Sequence, residues 1–210
     1  MLILDMASVI PFFKEKQLTP AWSFDAGSLI WRIYFTSNNL IIGEARSQET
    51  KTTNFFCLDV RTGNPLWSNV GFDEPWWIGI ETVYQRWMIL HGFVRPDIPE
   101  HRGIRVVDIG SGGLLWRNDE LSYWFMDGEK LYAHKYLFEK HVAYELDINS
   151  GAVINEYADD LDRILEIRNT LSGGDASPLQ DVLYPEVLDA QEERSPLGSV
   201  IQRITKGRAL

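Results

Sequence analysis

The feature that most constrains this chain is an internal repeat. The segments Phe55-Phe-Cys-Leu-Asp59-Val-Arg-Thr-Gly63-Asn-Pro-Leu-Trp67 and Ile104-Arg-Val-Val-Asp108-Ile-Gly-Ser-Gly112-Gly-Leu-Leu-Trp116 align without a gap. A third copy runs from His141 through Asp147 and Gly151 to Asn155. Each copy reads as an apolar strand, then Asp, two residues, Thr or Ser, Gly, and a second apolar stretch. That order spells a hairpin: Asp and Thr/Ser side chains cap the turn's backbone amides, and Gly takes the positive φ that other residues resist. Eight positions after Asp59 and Asp108 come Trp67 and Trp116, whose rings can wedge between neighbouring sheets. Asn155 replaces that Trp in the third copy.

Further Trp residues follow each closing position: Trp31 after Trp22, Trp76 and Trp77 after Trp67, and Trp124 after Trp116. Two more strand-like runs then follow in every repeat. They are Leu29 to Tyr34 with Leu40 to Gly43, Trp76 to Ile80 with Trp87 to Gly92, and Tyr123 to Met126 with Lys130 to His134. A period of 39 or 49 residues with about four strands is the content of one propeller blade. The expected fold is therefore all-β, a partial or small β-propeller of about three four-stranded blades (approximately 23–67, 68–116 and 117–157) within residues 20–157. Residues 1–19 read as an N-terminal extension. The spans Glu44 to Asn54, Phe93 to Gly103 and Lys135 to Lys140 read as variable hairpin loops, the places where repeat proteins usually bind.

The Leu-Asp-x-x-Thr-Gly-x-x-x-Trp pattern, as at Leu58 to Trp67, resembles the quinoprotein-like propeller repeat of quinone-dependent alcohol dehydrogenases and of an outer-membrane-assembly lipoprotein. The resemblance covers roughly residues 20–157. It implies the fold and little about activity, because that family holds enzymes, scaffolds and many bacterial proteins of other kinds. Those dehydrogenases have more blades and commonly an adjacent-cysteine disulfide over the quinone, which a chain with one cysteine cannot form. No cofactor and no catalytic residue is carried over.

Three blades leave a blade face and sheet edges uncovered, since propellers close with about four to eight. An irregular fourth blade built from the strand around Trp22 and the last 50 residues, a truncated longer propeller, or a pair of chains would each cover them. The first two are favoured over pairing. Composition changes after Asn155: residues 158–210 form an irregular acidic segment. Asp159-Asp160-Leu161-Asp162 reads as the start of a short helix with Leu161, Ile164, Leu165 and Leu171 on its apolar side, a strand over Arg163 to Arg168 being the alternative. Ser172 to Pro178 reads as a loop, and Leu183 to Leu188 and Val200 to Ile204 as short strands.

A formal charge of −10 argues against non-specific binding to nucleic acid or anionic membrane. The N-terminal residues lack a basic region ahead of their apolar ones, and no apolar run approaches the ~20 residues that span a bilayer. The lone Cys57, set in an apolar run, reads as a buried inert thiol and fits a reducing cytoplasm.

Chemistry is sparse. There is no Gly-x-Ser-x-Gly elbow and no phosphate loop, and Gly110-Ser111-Gly112-Gly113 already serves the repeat's turn. Leu171-Ser-Gly-Gly-Asp175 resembles a transporter-ATPase signature by coincidence, and Asp159, Asp160 and Asp162 lack the rest of a calcium loop. Of the four histidines, His91 and His134 hold matching positions, but none has helical zinc spacing, so no metal site, cofactor or catalytic residue is expected. The repeated Trp residues read as blade packing. Trp87 breaks the period and, with Trp76, Trp77, His91 and His134, marks the expected binding surface. The expected role is a protein-binding or scaffold module presenting its blade loops, with a protein partner or a second chain completing the propeller. The alternative is an enzyme with a small-molecule site at the blade axis.

Overall fold

The computed structural model describes residues 19–95, 98–137, 140–158 and 161–173. The expected extension before residue 19, Asp159 and Asp160, and the strands and loop expected beyond residue 173 lie outside these. Twelve strands and one helix occur among the described residues. They form three four-stranded antiparallel sheets, each strand paired to its chain neighbour. The first sheet holds β1 (Leu29–Phe35), β2 (Leu40–Ser47), β3 (Thr52–Asp59) and β4 (Pro65–Val70). The second holds β5 (Ile78–Tyr84), β6 (Trp87–Arg95), β7 (Ile98–Asp108) and β8 (Leu114–Asn118). The third holds β9 (Ser122–Asp127), β10 (Lys130–Leu137), β11 (Lys140–Asp147) and β12 (Val153–Tyr157), and α1 (Leu161–Gly173) follows. The fold is thus the expected small propeller-like all-β array.

Every sheet is apolar on both faces, because strand alternation sends successive side chains to opposite neighbours. Ile42, Phe55 and Cys57 of the first sheet pack against Ile78, Ile80, Met88 and Leu90 of the second. On the second sheet's other face, Trp87, Ile89, Ile104 and Val106 meet Leu131, Ala133, Val142 and Leu146 of the third. The outermost faces are also covered. Trp22, Phe24 and Ala26 lie against Ile41, Phe56 and Leu58, and Leu161, Ile164 and Ile167 of α1 lie against Tyr132 and Ala143. The helix thus forms as expected from residue 161 onward. Its buried side is Leu161, Ile164 and Ile167, while Leu165 is 40% exposed, because a 3.6-residue period carries position 165 round to water.

The repeat motif explains how the sheets lock. In each turn the Asp carboxylate accepts from the Thr or Ser three positions on: Asp59 Oδ1 from Thr62 N (2.8 Å) and Oγ1 (2.9 Å), Asp108 Oδ1 from Ser111 N and Oγ (both 2.9 Å), and Asp147 Oδ1 from Ser150 N (2.8 Å) and Oγ (2.6 Å). These bonds hold the Asp59 and Asp147 carboxyls below the usual range. Gly63, Gly112 and Gly151 sit at φ of +69°, +69° and +71° respectively. A Trp from the preceding repeat lies flat where each glycine's side chain would be: Trp22 on Gly63, Trp67 on Gly112 and Trp116 on Gly151. Each indole also donates to the carbonyl just after the Asp: Trp22 to Val60 (2.9 Å), Trp67 to Ile109 (2.6 Å) and Trp116 to Ile148 (2.6 Å). Each latch therefore joins the last strand of one repeat, or the segment before β1, to the turn of the next. Asn155 stands where the third Trp would be and instead donates to the buried Glu145, which also binds Tyr157 and Lys130.

One expectation is corrected. The spans 44–54, 93–103 and 135–140 are not long loops. β2 and β3 pair from Leu40↔Asp59 to Ser47↔Thr52, β6 and β7 run to Arg95↔Ile98, and β10 and β11 to Leu137↔Lys140. These polar stretches still form ladders, because the hairpin arms project beyond the core and need only partial burial to stay paired. The β2–β3 turn, residues 48–51, is itself short.

Candidate functional site

The registers place side chains of successive repeats at equivalent points. Leu40, Trp87 and Lys130 oppose Asp59, Asp108 and Asp147, so Glu44, His91 and His134 are equivalent, four residues further along. Two residues beyond stand Arg46, Phe93 and Tyr136, and across from these Thr53, His101 and His141. The same places in the three hairpins hold three different chemistries.

In the first sheet, Glu44 is fully buried and pairs with Arg46 Nε at 2.6 Å. Both reach β5, the edge strand of the second sheet. Glu44 Oε2 accepts from Ile80 N (2.9 Å), and Arg46 donates to the carbonyls of Trp76 (3.1 Å) and Ile78 (2.5 Å). Arg32 donates to Ile80 O at 2.7 Å. Alternate backbone groups of that edge are thus satisfied by side chains, which removes an open pairing surface.

In the second sheet the equivalent place is a carboxylate with two imidazoles. Glu81 is the unpaired residue of a bulge between Ile80↔Leu90 and Thr82↔Ile89, so its side chain departs from the strand's alternation. Its Oε2 lies 2.7 Å from His101 Nδ1, in hydrogen-bond geometry. His91 Nδ1 stands 2.9 Å from the same oxygen, yet its ring is not aimed at it, and this buried nitrogen makes no hydrogen bond. The two rings stack with centroids 3.5 Å apart and planes 8° from parallel. The three donor atoms lie within 4.8 Å of one another, so this cluster could hold a metal ion. His91 is 2% exposed at the side chain, Glu81 23% and His101 37%, so the cluster opens to solvent on the His101 side.

Burial alone would raise the Glu81 carboxyl, but its hydrogen bond with His101 and the close imidazole of His91 outweigh that and hold it at about 2. Burial pushes the His91 imidazole below its ordinary value, against the opposing pull of Glu81. Burial and the Glu81 charge together raise the phenol of Tyr123, from β9.

In the third sheet, Trp124 fills the bulge equivalent to Glu81, between Tyr132↔Phe125 and Ala133↔Tyr123. Its ring lies 5.5 Å from both His134 and His141. Burial lowers both imidazoles, and His141 depresses His134 further. His91 and His134 therefore do hold matching positions, but each meets a histidine of its own sheet.

Of the aromatics expected at a surface, Trp77 is 38% exposed and Trp76 half-buried, both on the bends before β5. Glu74 Oε1 accepts from their backbone amides at 3.0 and 2.8 Å. Trp87 is 2% exposed and stacks on Tyr84. It packs between the second and third sheets and belongs to no surface, because its strand position faces the neighbouring blade. The Trp76 ring lies between Arg46 (5.4 Å) and Lys51 (5.0 Å), and Arg46 also covers Trp31. Trp77 meets Phe93 edge-on, and Phe93 meets both His91 and His101. Trp31, Trp76, Trp77 and Phe93 thus form one aromatic surface at the ends of the β2–β3 and β6–β7 hairpins. A separate cavity of about 270 Å³ lies by the first sheet, lined by Phe24, Asp25, Phe56 and Asn69 among others.

Sequence reasoning missed Glu81 and Phe93, and set His101 aside with the other three histidines for want of helical zinc spacing. Nothing in the letters marks Glu81 as a bulge. The signal that could have exposed His101 was its alignment with His141, six or seven residues before the repeat's Asp. Residues 36–116, from the β1–β2 turn through Trp116, match the family model described as Domain of unknown function (DUF4905). No curated protein matches the chain. No described helix is long and apolar enough to cross a membrane.

Proposed function

We propose that this chain is a protein-binding module that presents the ends of its β2–β3 and β6–β7 hairpins to a partner. The observation that carries this reading is the aromatic surface of Trp31, Trp76, Trp77 and Phe93, flanked by Arg46 and Lys51. Large rings held at a surface by backbone and cationic contacts supply contact area at low entropic cost, and cations beside them favour a partner with carboxylates next to apolar side chains. The Asp-x-x-Thr/Ser-Gly turns with their docked Trp rings support placing the repeats among quinoprotein-like blades, used here as a scaffold. The buried free thiol of Cys57, which burial raises to about 11, fits a reducing cytoplasm.

The test is a comparative pull-down with the wild-type chain, a Trp31→Ala/Trp77→Ala variant and a control variant, Val153→Ser, on an exposed outer strand. Circular dichroism should show all three folded. Loss of the same captured proteins from the aromatic variant alone is the expected result. An unchanged set of captured proteins overturns the reading.

A further inference from the structure

We propose that Glu81, His91 and His101 form a binding site for one divalent transition-metal ion, zinc being the best match. The site is distinct from the aromatic docking surface, although Phe93 touches both.

Two neutral imidazole nitrogens and one carboxylate oxygen are the donor set that borderline ions such as Zn²⁺ prefer over the all-oxygen sets of Mg²⁺ and Ca²⁺. Three protein donors leave a coordination position for water or a ligand, and here the half-exposed His101 provides the open side. All three donor atoms already lie within 4.8 Å of one another. The donor separations of 2.7 and 2.9 Å between the carboxylate oxygen and the two Nδ1 atoms are slightly tighter than ligands ~2.0–2.1 Å from a shared ion require. A small outward shift of the half-exposed His101 accommodates that.

The second observation is His91 Nδ1 itself. It belongs to a side chain only 2% exposed, lies 2.9 Å from the carboxylate, and makes no hydrogen bond. A buried polar atom without a partner is costly and uncommon, and an ion between it and Glu81 would satisfy it. The stacked rings are the resting arrangement. Their in-plane lone pairs run parallel, so an ion shared by both needs one ring to turn about its Cβ–Cγ bond. His101, 37% exposed, has the room to do so, whereas His91 is 2% exposed.

The surroundings also resemble a built shell. A Cβ on Gly79 would fall 3.2 Å from both His91 Nε2 and Arg46 Nη2 and 3.3 Å from Glu44 Oε2. The absent side chain leaves a space that His91 Nε2, Arg46 Nη2 and Glu44 Oε2 all border. Groups at the outer nitrogen are what fix a metal-bound imidazole's orientation.

The experiment is isothermal titration of the metal-stripped full chain with ZnCl₂ at pH 7.5, beside absorption spectra with CoCl₂. One ion per chain is expected, with visible Co²⁺ ligand-field bands of a site having fewer than six ligands. Glu81→Gln and His101→Ala should each weaken binding by more than about 100-fold, beyond the usual cost of losing an outer partner. His134→Ala/His141→Ala, with circular dichroism confirming all variants folded, should leave the isotherm unchanged. No saturable uptake by the wild type, or uptake that survives Glu81→Gln and His101→Ala or is lost with His134→Ala/His141→Ala, overturns the proposal. Partner capture in the pull-down does not depend on this outcome, so the two readings fail separately.

Discussion

The interface between the first and second sheets and the one between the second and third are built from the same positions, and they differ in what those positions have left over. At the first, Glu44 and Arg46 spend their hydrogen bonds on each other and on the edge of β5. The work of this pair is structural. At the second, His91 and His101 crowd one oxygen of Glu81, and a buried nitrogen remains unbonded. A repeat supplies positions, while the chemistry at them sets whether an interface closes or receives something.

The comparison breaks most forcefully at Glu44. Glu44→Ala leaves Arg46 beside a buried, unpaired edge and should cost about 3–5 kcal/mol, the range for breaking a buried ion pair. Urea denaturation measures it. Glu81→Ala should cost much less, because Glu81 and His101 face water, and a loss as large as that of Glu44→Ala would show the second cluster to be structural too.

Next comes the latch that both interfaces share. Trp67→Ala removes a large ring and its bond to Ile109, and should cost about 3 kcal/mol, the lower end for emptied aromatic sites since Trp67 is only half-buried. A matching loss from Trp116→Ala would show the two latches equal, and a much smaller one would sharpen the distinction between the interfaces.

Acid weakens the histidines and Glu81 in different pH windows. His91, His134 and His141 are held below their ordinary values, so the unfolded chain binds their protons first. Stability should therefore fall as pH drops below about 6.5. Glu81 contributes stability that is present above about 4.5 and is lost as pH falls toward 2. Denaturation midpoints taken across pH 7 to 5 should decline in the wild type and decline less in His134→Ala/His141→Ala. An identical slope in both would remove the third sheet's pair from the account.

The smallest effect belongs to the turns. Asp108→Ala deletes the cap on Ser111 and should cost about 1 kcal/mol, since its bridge to the exposed Arg86 adds little. A small fall in midpoint with unchanged circular dichroism is expected.

These cases also show what the letters carried. The Asp-x-x-Thr/Ser-Gly turns and their Trp partners were legible, because one short motif supplies capping, positive φ and a ring for the next sheet together. The hairpin arms were not, because polar residues such as Glu44 and Arg46 look like loop residues until the edge they satisfy is known. Trp87 misled because its departure from the Trp period suggested exposure, whereas strand parity buries it. The site escaped for a related reason. A bulge at Glu81 depends on the register of two strands, and no window of sequence contains both.

The direction of the latches has a consequence for synthesis. Each Trp reaches forward by only 38, 42 or 32 residues to its acceptor carbonyl. A chain leaving the ribosome can therefore close its contacts in order, each sheet docking as soon as the following turn emerges and none waiting for a distant segment. Contacts of such short range keep loop-closure costs low and favour growth from a neighbour over a single global collapse. Pulse-labelled hydrogen exchange on nascent chains of increasing length should then show protection advancing one sheet at a time.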